Sequence, residues 1–170
     1  LFVLGNDTKN LVELDAAGQL VRELGYPTMR GAQASVLDGD LAYVATEHHP
    51  QLGTSLQVWD LATGTLARSF ARLDEVAFAS GLVLHDGALL VSDLERGTIT
   101  RFDPTTGDNL GILVEGLVLP AEIDIGPDGR LYALDLTGLH AFDVHTGASL
   151  GTLIEVAGGP LARPLGFTFD

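Results

Sequence analysis

One hairpin pattern occurs four times along the chain, and this repetition limits the fold more than any other feature. Each copy has an apolar residue and an aspartate, followed within four residues by a turn glycine. The four glycines are Gly18, Gly64, Gly107 and Gly147, at separations of 46, 43 and 40 residues. The last three copies also carry an Asp-Gly pair, at Asp38-Gly39, Asp86-Gly87 and Asp128-Gly129. Asp-Gly favours a two-residue hairpin turn because glycine adopts positive φ at little cost.

The period of the pattern predicts the architecture. Between 40 and 48 residues separate equivalent turns, which is the size of one four-stranded antiparallel sheet with its connections. One such sheet cannot bury both of its faces, whereas copies packed face to face around an axis can. The sequence therefore predicts an all-β fold, a β-propeller of four antiparallel four-stranded blades. We expect a single propeller domain or segment over 1–170, with repeats at about 1–33, 34–78, 79–120 and 121–164.

The two ends of the sequence belong to incomplete repeats. The first repeat opens directly on its second strand, LFVLG, and the final residues, PLGFTFD, are typical of an inner strand. We expect residues 165–170 to start or complete a blade, so that the terminal strands share one sheet. The sequence leaves open a four-bladed ring, a segment of a larger propeller, or half of a propeller completed by another chain. We favour the last two over an isolated ring.

Charge and composition exclude several classes of partner. The formal net charge is -14, with 9 Lys and Arg residues against 23 Asp and Glu residues, which disfavours binding to phosphate backbones and anionic lipid. No apolar run approaches the length of about 20 residues that a membrane-spanning helix needs. The absence of cysteine excludes disulfides and thiolate metal sites. We expect no nucleic-acid partner, no membrane insertion and an extracellular or periplasmic location.

Several segments of the repeats match known propellers. They are LFVLGND, AYVATE, HDGALLVSD and GPDGRLYALD, each followed by an apolar-Asp pair and a turn glycine. With these segments the chain resembles the NHL, YVTN and gluconolactonase-like propellers over nearly its whole length. The resemblance implies a binding face built from the loops that enter the inner strands and join the middle strands. It does not imply one function, because these families include binding modules, lyases, lactonases and dehydrogenases.

The resemblance to gluconolactonase-like enzymes directs attention to Glu122. Glu122 begins a predicted inner strand, where the equivalent residues are Gly81 and Gly166. In those enzymes a glutamate at this place binds a divalent metal with Asn and Asp partners from other blades. The candidate partners, all hard oxygen donors suited to Ca²⁺ or Mg²⁺, are Asn6, Glu47, Asp93 and Asp135. We weigh a hydrogen-bonded or solvated acid at this place above a metal ligand.

The predicted middle loops carry further candidate residues for the binding face, namely His48, His49 and Glu95. Glu47, His48 and His49 could bind zinc or copper or supply a general base. Adjacent histidines on an extended segment point in opposite directions, so we interpret this stretch as an exposed loop insertion. The remaining histidines, His85, His140 and His145, show no metal-ligand spacing and are interpreted as scattered.

The sequence carries no catalytic motif. It lacks a Gly-x-Ser-x-Gly elbow, a P-loop and a dinucleotide fingerprint, so an enzyme is the weaker prediction. We predict a non-catalytic binding or assembly module that contacts protein partners or other copies of itself, without an assigned cofactor. One alternative is a hydrolase, lactonase or lyase that uses Ca²⁺ or Mg²⁺ near Glu122. Another is a structural subunit of an extracellular assembly.

Overall fold

The computed structural model describes residues 2–5, 10–24, 32–49, 53–70, 73, 76–156 and 166–169. These residues form fifteen β-strands and no helix, which confirms the predicted all-β fold. Within the same ranges, no helix is long and apolar enough to cross a bilayer.

The chain divides into two compact units, Leu1–Leu73 and Asp74–Asp170. The first unit holds two antiparallel sheets. Sheet one has the order β1 (Phe2–Gly5), β2 (Asn10–Leu14), β3 (Leu20–Leu24). Sheet two has the order β4 (Ala32–Asp38), β5 (Leu41–His49), β6 (Gly53–Asp60), β7 (Thr65–Phe70). Whether the two units form one propeller domain stays a prediction.

The second unit holds two four-stranded antiparallel sheets. Sheet three consists of β8 (Ala79–His85), β9 (Ala88–Asp93), β10 (Thr98–Phe102) and β11 (Asn109–Val114). Sheet four consists of β12 (Glu122–Ile125), β13 (Leu131–Leu134), β14 (Gly138–Phe142) and β15 (Ser149–Glu155). Both sheets run from an inner strand to an outer strand in chain order, as the repeat predicts.

The predictions for the incomplete repeats at the two ends of the sequence have different outcomes. In the described residues sheet one has three strands and no inner strand beside β1, as predicted, and β1 pairs with β2 in the way that β9 pairs with β10. Gly166–Phe169, predicted as an inner strand, belongs to no strand. An inner strand needs a second strand to pair with, and none follows it in the described part of the chain. The shared terminal blade therefore stays a prediction.

The aspartate before each turn glycine explains why the turn recurs. Asp143 Oδ1 accepts hydrogen bonds from the backbone N–H groups of His145 and Thr146, and Asp103 Oδ1 accepts the same pair from Thr105 and Thr106. Hydrogen bonding by Thr146 holds the pKa of Asp143 below its ordinary value of 3.8. The glycines that end the four turns have φ angles between +72° and +78°, a region that disfavours other residues.

The sheets pack in pairs inside each unit. In the first unit, Leu11 and Leu24 of sheet one share a buried cluster with Val44 and Trp59 of sheet two. In the second unit, Ile99 and Val114 of sheet three share one with Leu131 and Phe142 of sheet four. Neighbouring repeats therefore bury one another's apolar faces, as the sequence predicts.

Candidate functional site

Glu122 contacts the C-terminal segment. Glu122 is the first residue of β12, and its side chain is half-buried. Its Oε2 accepts a hydrogen bond of 2.8 Å from the backbone N–H of Phe167. A Cβ atom added to Gly166 would lie 2.7 Å from the same oxygen. The carboxylate thus orients the segment 166–169 against sheet four.

Asp93 and Asp135 occupy equivalent positions, each at the end of a second strand. Asp93 is fully buried. Its carboxylate accepts hydrogen bonds from the backbone N–H groups of four residues: Ala77, Phe78, Glu95 and Arg96. These bonds connect the residues before β8 with the turn after β9. The carboxylate therefore holds both loops at this end of sheet three in place.

Asp135 holds the corresponding loop of sheet four. Its Oδ2 accepts from the backbone N–H of Val118, and its Oδ1 accepts from the backbone N–H groups of Thr137 and Gly138 and from the Thr137 hydroxyl. His140 Nε2 lies 3.0 Å from Oδ1. Burial alone raises the pKa of Asp135, but hydrogen bonds from Thr137, Val118 and His140 outweigh burial and hold it below 3.8.

The predicted cation ligands are not gathered into one cluster in the part of the chain that the structure describes. Glu122, Asp93 and Asp135 each bind their own backbone segment, and no close group of three acids or histidines includes any of them. Asn6 lies outside the described residues. The Ca²⁺ or Mg²⁺ site stays a prediction.

The stretch Glu47–His49 differs from the predicted loop. It continues β5, and the backbone of His49 pairs with that of Gly53 across a bulge. The reason is that the β5–β6 hairpin extends beyond its regular ladder, so the connection is shorter than the sequence indicated. The side chains of Glu47, His48 and His49 lie outside the described part of the structure. Glu95 is exposed in the turn after β9.

The interpretation of the remaining histidines as scattered is wrong for His85 and His145. Their ring centroids lie 5.8 Å apart, since the Asp86-Gly87 turn of sheet three and the Asp143–Gly147 turn of sheet four meet at one edge of the second unit. Sequence spacing could not reveal this pair, because the two turns are joined only by the packing of the two sheets.

The outer strands of sheets three and four have similar sequences but different burial. NLGILV in β11 matches SLGTLI in β15, and Ile99 pairs with Val114 as Leu139 pairs with Ile154. Val114 is 3% exposed and its equivalent Ile154 is 38% exposed. The preceding residue is 8% exposed in sheet three, at Leu113, and 52% exposed in sheet four, at Leu153.

The cause of this difference is the neighbouring sheet. Leu113 and Val114 pack against Phe142 and Val144 of sheet four, and the turn at Gly147 lies on the backbone of Leu113. The described residues provide no equivalent cover over Leu153 and Ile154. We call the corresponding surface of sheet four the open face; it consists of Tyr132, Leu139, Leu153 and Ile154.

The inner half of the open face is covered by the C-terminal segment. Phe167 and Phe169 pack against Tyr132 and Leu139, and the Tyr132 and Phe169 ring centroids lie 5.0 Å apart. Glu122 contacts the N–H of Phe167. The equivalent residues of sheets three and four, Gly81 and Ile123, are also close together, since a Cβ on Gly81 would lie 2.9 Å from the nitrogen of Ile123.

Segment 166–169 therefore lies on sheet four as the inner strand β12 lies on sheet three. Ile123 and Ile125 of β12 pack on the core that sheets three and four share, and Phe167 and Phe169 are their counterparts on the open face. Among the described residues of the second unit, no equivalent of β13, β14 and β15 lies on the open face.

Comparisons with known proteins were made at the level of sequence and of structure. No family model matches the chain, and no curated protein sequence matches it. Among solved structures, the chain is similar to Kuenenia stuttgartiensis hydrazine synthase, with a TM-score of 0.71 and 18% identity over 91% of this chain and 46% of that one. It is similar to Myxococcus xanthus glutaminyl cyclase, with a TM-score of 0.63 and 20% identity over 84% of this chain and 60% of that one.

A third similar structure is the computationally designed Ika8 protein, with a TM-score of 0.59 and 16% identity over 87% of this chain and 46% of that one. The structural neighbours are propeller-like, so the chain has a β-propeller fold. Identities of 16–20% carry the fold alone. The chain spans between 46% and 60% of the length of these three structures.

Proposed function

We propose that this chain is a propeller assembly module that binds a second copy of itself by completing a shared blade. The observation that carries the proposal is the open face of sheet four. Leu153 and Ile154 are exposed there, whereas Leu113 and Val114, at the same positions of sheet three, are buried by a neighbouring sheet. Because a neighbouring sheet covers these positions on sheet three, the same positions on sheet four are suited to cover by another sheet of this repeat.

The first sheet of a second copy has a complementary edge. Its described residues form three strands, with β1 at the edge and no inner strand beside it. Segment 166–169 already lies where the inner strand of the next sheet belongs. Together they would make one four-stranded blade, with main-chain hydrogen bonds between segment 166–169 and β1, which is the physics of β-strand addition.

Burial of the open face contributes part of the free energy of association, and main-chain hydrogen bonds along the shared blade contribute the rest. Covering Leu153 and Ile154, which are 52% and 38% exposed, contributes at most about 1.5–3 kcal/mol for each side chain, against the loss of translational and rotational freedom on association. The contact joins different surfaces of the two copies, so it is heterologous and either closes into a ring or continues as an open chain. This assembly corresponds to half of a propeller completed by another chain.

The Glu122 interaction supports an assembly role over the enzyme alternative. The Glu122 carboxylate accepts the Phe167 N–H and so holds the segment that would enter the shared blade. In a Ca²⁺- or Mg²⁺-dependent hydrolase the same oxygen would be a metal ligand. The structural neighbours with enzyme names do not decide between the two roles, because their similarity extends to the fold only.

The first test compares variants of the open face by analytical ultracentrifugation over a wide range of protein concentration. The chain should self-associate, and the double variant L153E/I154E should weaken association about a hundredfold or more, because two apolar contacts are replaced by buried charge. Leu150→Glu is the matched control on the same strand. Leu150 and its equivalent Leu110 are both 52% exposed, so this position stays outside the contact in either sheet. A wild-type chain that is monomeric throughout contradicts the proposal.

A second test distinguishes a contact between copies from one within a chain. In sheet four Asp124 pairs with Tyr132, and the equivalent register predicts Thr168 opposite Phe2 in the shared blade. Two single variants, T168C and F2C, are mixed and oxidised. Because the chain has no cysteine of its own, a mixed disulfide reports this pairing alone. Formation of the disulfide-linked heterodimer is expected. A disulfide that forms only when both cysteines are in one chain contradicts association between copies.

A further inference from the structure

His85, Asp86 and His145 form a compact cluster at the junction of sheets three and four. His85 Nε2 lies 3.5 Å from Asp86 Oδ2, and His145 Nδ1 lies 3.9 Å from the same oxygen. All three potential ligand atoms lie within 4.8 Å of one another. Two imidazole nitrogens and one carboxylate oxygen thus converge on one point, although they come from two different turns.

A small pocket surrounds this point. Its volume is about 180 Å³, and the side chains of Arg101 and Val144 line it together with the three residues of the cluster. Arg101 Nη1 donates a hydrogen bond of 3.3 Å to the carbonyl oxygen of His145, which holds the turn that carries His145. The pocket has room for an ion and a water molecule beside the three side chains.

One atom of the cluster has an unmet bonding requirement. His85 Nε2 is buried and has no hydrogen-bond partner among the residues that the structure describes, although it faces the Asp86 carboxylate. Leaving a buried polar nitrogen unpaired costs about 1–3 kcal/mol. A ligand in the pocket that accepts the lone pair of this nitrogen removes that cost, and a metal ion is such a ligand.

We propose that His85, Asp86 and His145 form a zinc-binding site with one coordination position open to solvent. Zinc prefers imidazole nitrogen and carboxylate oxygen at about 2.0–2.2 Å in tetrahedral geometry, so its ligand atoms lie about 3.3 Å apart. The separations of 3.5 and 3.9 Å are close to this value. The side chains of Asp86 and His145 are 70% and 67% exposed, so each can rotate by the small amount that binding requires.

The equivalent turns of the other sheets do not carry this combination. The Asp-Gly turn of sheet two is preceded by Leu37 where sheet three has His85, and the position of His145 is taken by Ala62 and Thr105 in sheets two and three. The cluster is therefore additional to the turn chemistry of the repeat. Asp86 itself adopts φ of +47°, a conformation that Asn also tolerates.

The test is a zinc titration by isothermal calorimetry on the intact chain and four variants. Wild type should bind one zinc ion at this site. Both H145Q and D86N should weaken binding more than tenfold, because loss of even an outer partner that orients a metal ligand costs about 10- to 100-fold. D38N changes the same turn position in sheet two, where no histidine is described nearby, and should bind zinc as wild type does. The double variant H48Q/H49Q should also retain binding, which separates this site from the other histidine pair.

A second measurement guards against loss of folding. His145 is exposed, so H145Q should unfold at the wild-type temperature without metal, and zinc should raise the unfolding temperature of wild type but not of H145Q. In histidine NMR spectra zinc should shift the imidazole signals of His85 and His145 and leave those of His140 in place. Failure of the wild type to bind zinc overturns the proposal. So does equal binding by wild type and H145Q, or loss of binding in H48Q/H49Q alone. These outcomes do not depend on whether the chain self-associates.

Discussion

At the scale of single residues, buried aspartates act as anchors for loops. Asp93 and Asp135 are almost completely buried, yet each carboxylate accepts several backbone N–H groups from a neighbouring loop. Charge-assisted hydrogen bonds of this kind are stronger than neutral ones, and they compensate the cost of burying the charge. These two residues therefore contribute to the order of the loops, whatever those loops bind.

Replacing Asp135 tests this anchoring role. In Asp135→Asn one carboxylate oxygen becomes an N–H₂ group, which faces either the N–H of Val118 or those of Thr137 and Gly138. A buried donor then opposes a donor, so the free energy of unfolding should fall by about 1–3 kcal/mol. The measurement is urea denaturation at neutral pH. Glu95→Gln removes a charge from an exposed side chain in the equivalent turn of sheet three and should change stability much less.

The difference in stability between wild type and Asp135→Asn should also depend on pH. Because hydrogen bonds hold the pKa of folded Asp135 below the ordinary value of 3.8, its contribution is complete above that value. The contribution is lost as the pH falls through the folded-state pKa. The stability difference between wild type and Asp135→Asn should therefore shrink on acidification. A difference that stays constant or grows would show that the ionised carboxylate is not what stabilises the loop.

At the scale of elements, the turn before the outer strand of sheet two and that of sheet four are also contacts between sheets. A Cβ atom on Gly147 would lie 1.8 Å from the carbonyl oxygen of Leu113, and a Cβ atom on Gly64 would lie 3.1 Å from the Leu24 side chain. In both units the turn of one sheet thus packs on the outer strand of the sheet before it. The glycine is required for its conformation and, at Gly147, also for close approach.

Alanine substitutions separate these two requirements. Gly147 and Gly129 lie in the same sheet with φ of +72° and +77°, but a Cβ on Gly129 meets nothing within 4 Å. Gly129→Ala should cost about 1–2 kcal/mol for the left-handed conformation alone. Gly147→Ala should cost about 1–3 kcal/mol more, because the backbone of Leu113 must move. Thermal unfolding of both variants measures the difference, and equal losses would contradict the close packing.

The repeat is visible in the sequence because its turns use local chemistry. The turn depends on an aspartate that accepts hydrogen bonds from two nearby N–H groups and on a glycine at positive φ. Both are local in the chain, so Asp103 and Gly107 predict their turn directly from the sequence. The open face could not be predicted in this way. Leu113 and Leu153 stand in similar sequences, and their different burial depends on whether another sheet lies beside them. The His85–His145 contact was missed for the same reason.

At the scale of the whole molecule, the net charge of -14 acts against association between copies. Two such chains repel each other at long range, while the contact proposed on the open face is apolar and gains from the removal of Leu153 and Ile154 from water. Charge and apolar surface therefore have opposite effects on the assembly, and ionic strength changes only the first of them. This separation gives the assembly a salt dependence with a definite sign.

Self-association should strengthen as salt is added. The distance over which charges act falls from about 30 Å at 0.01 M to about 8 Å at 0.15 M ionic strength, so the repulsion between copies is largely screened over this range. We expect the dissociation constant of the wild-type assembly, measured by sedimentation equilibrium in NaCl, to fall by about three- to tenfold over the same range. Leu150→Glu should show the same trend, displaced slightly by its added charge. An assembly that weakens as salt rises would instead be held by ion pairs, and the open face would not be its principal contact.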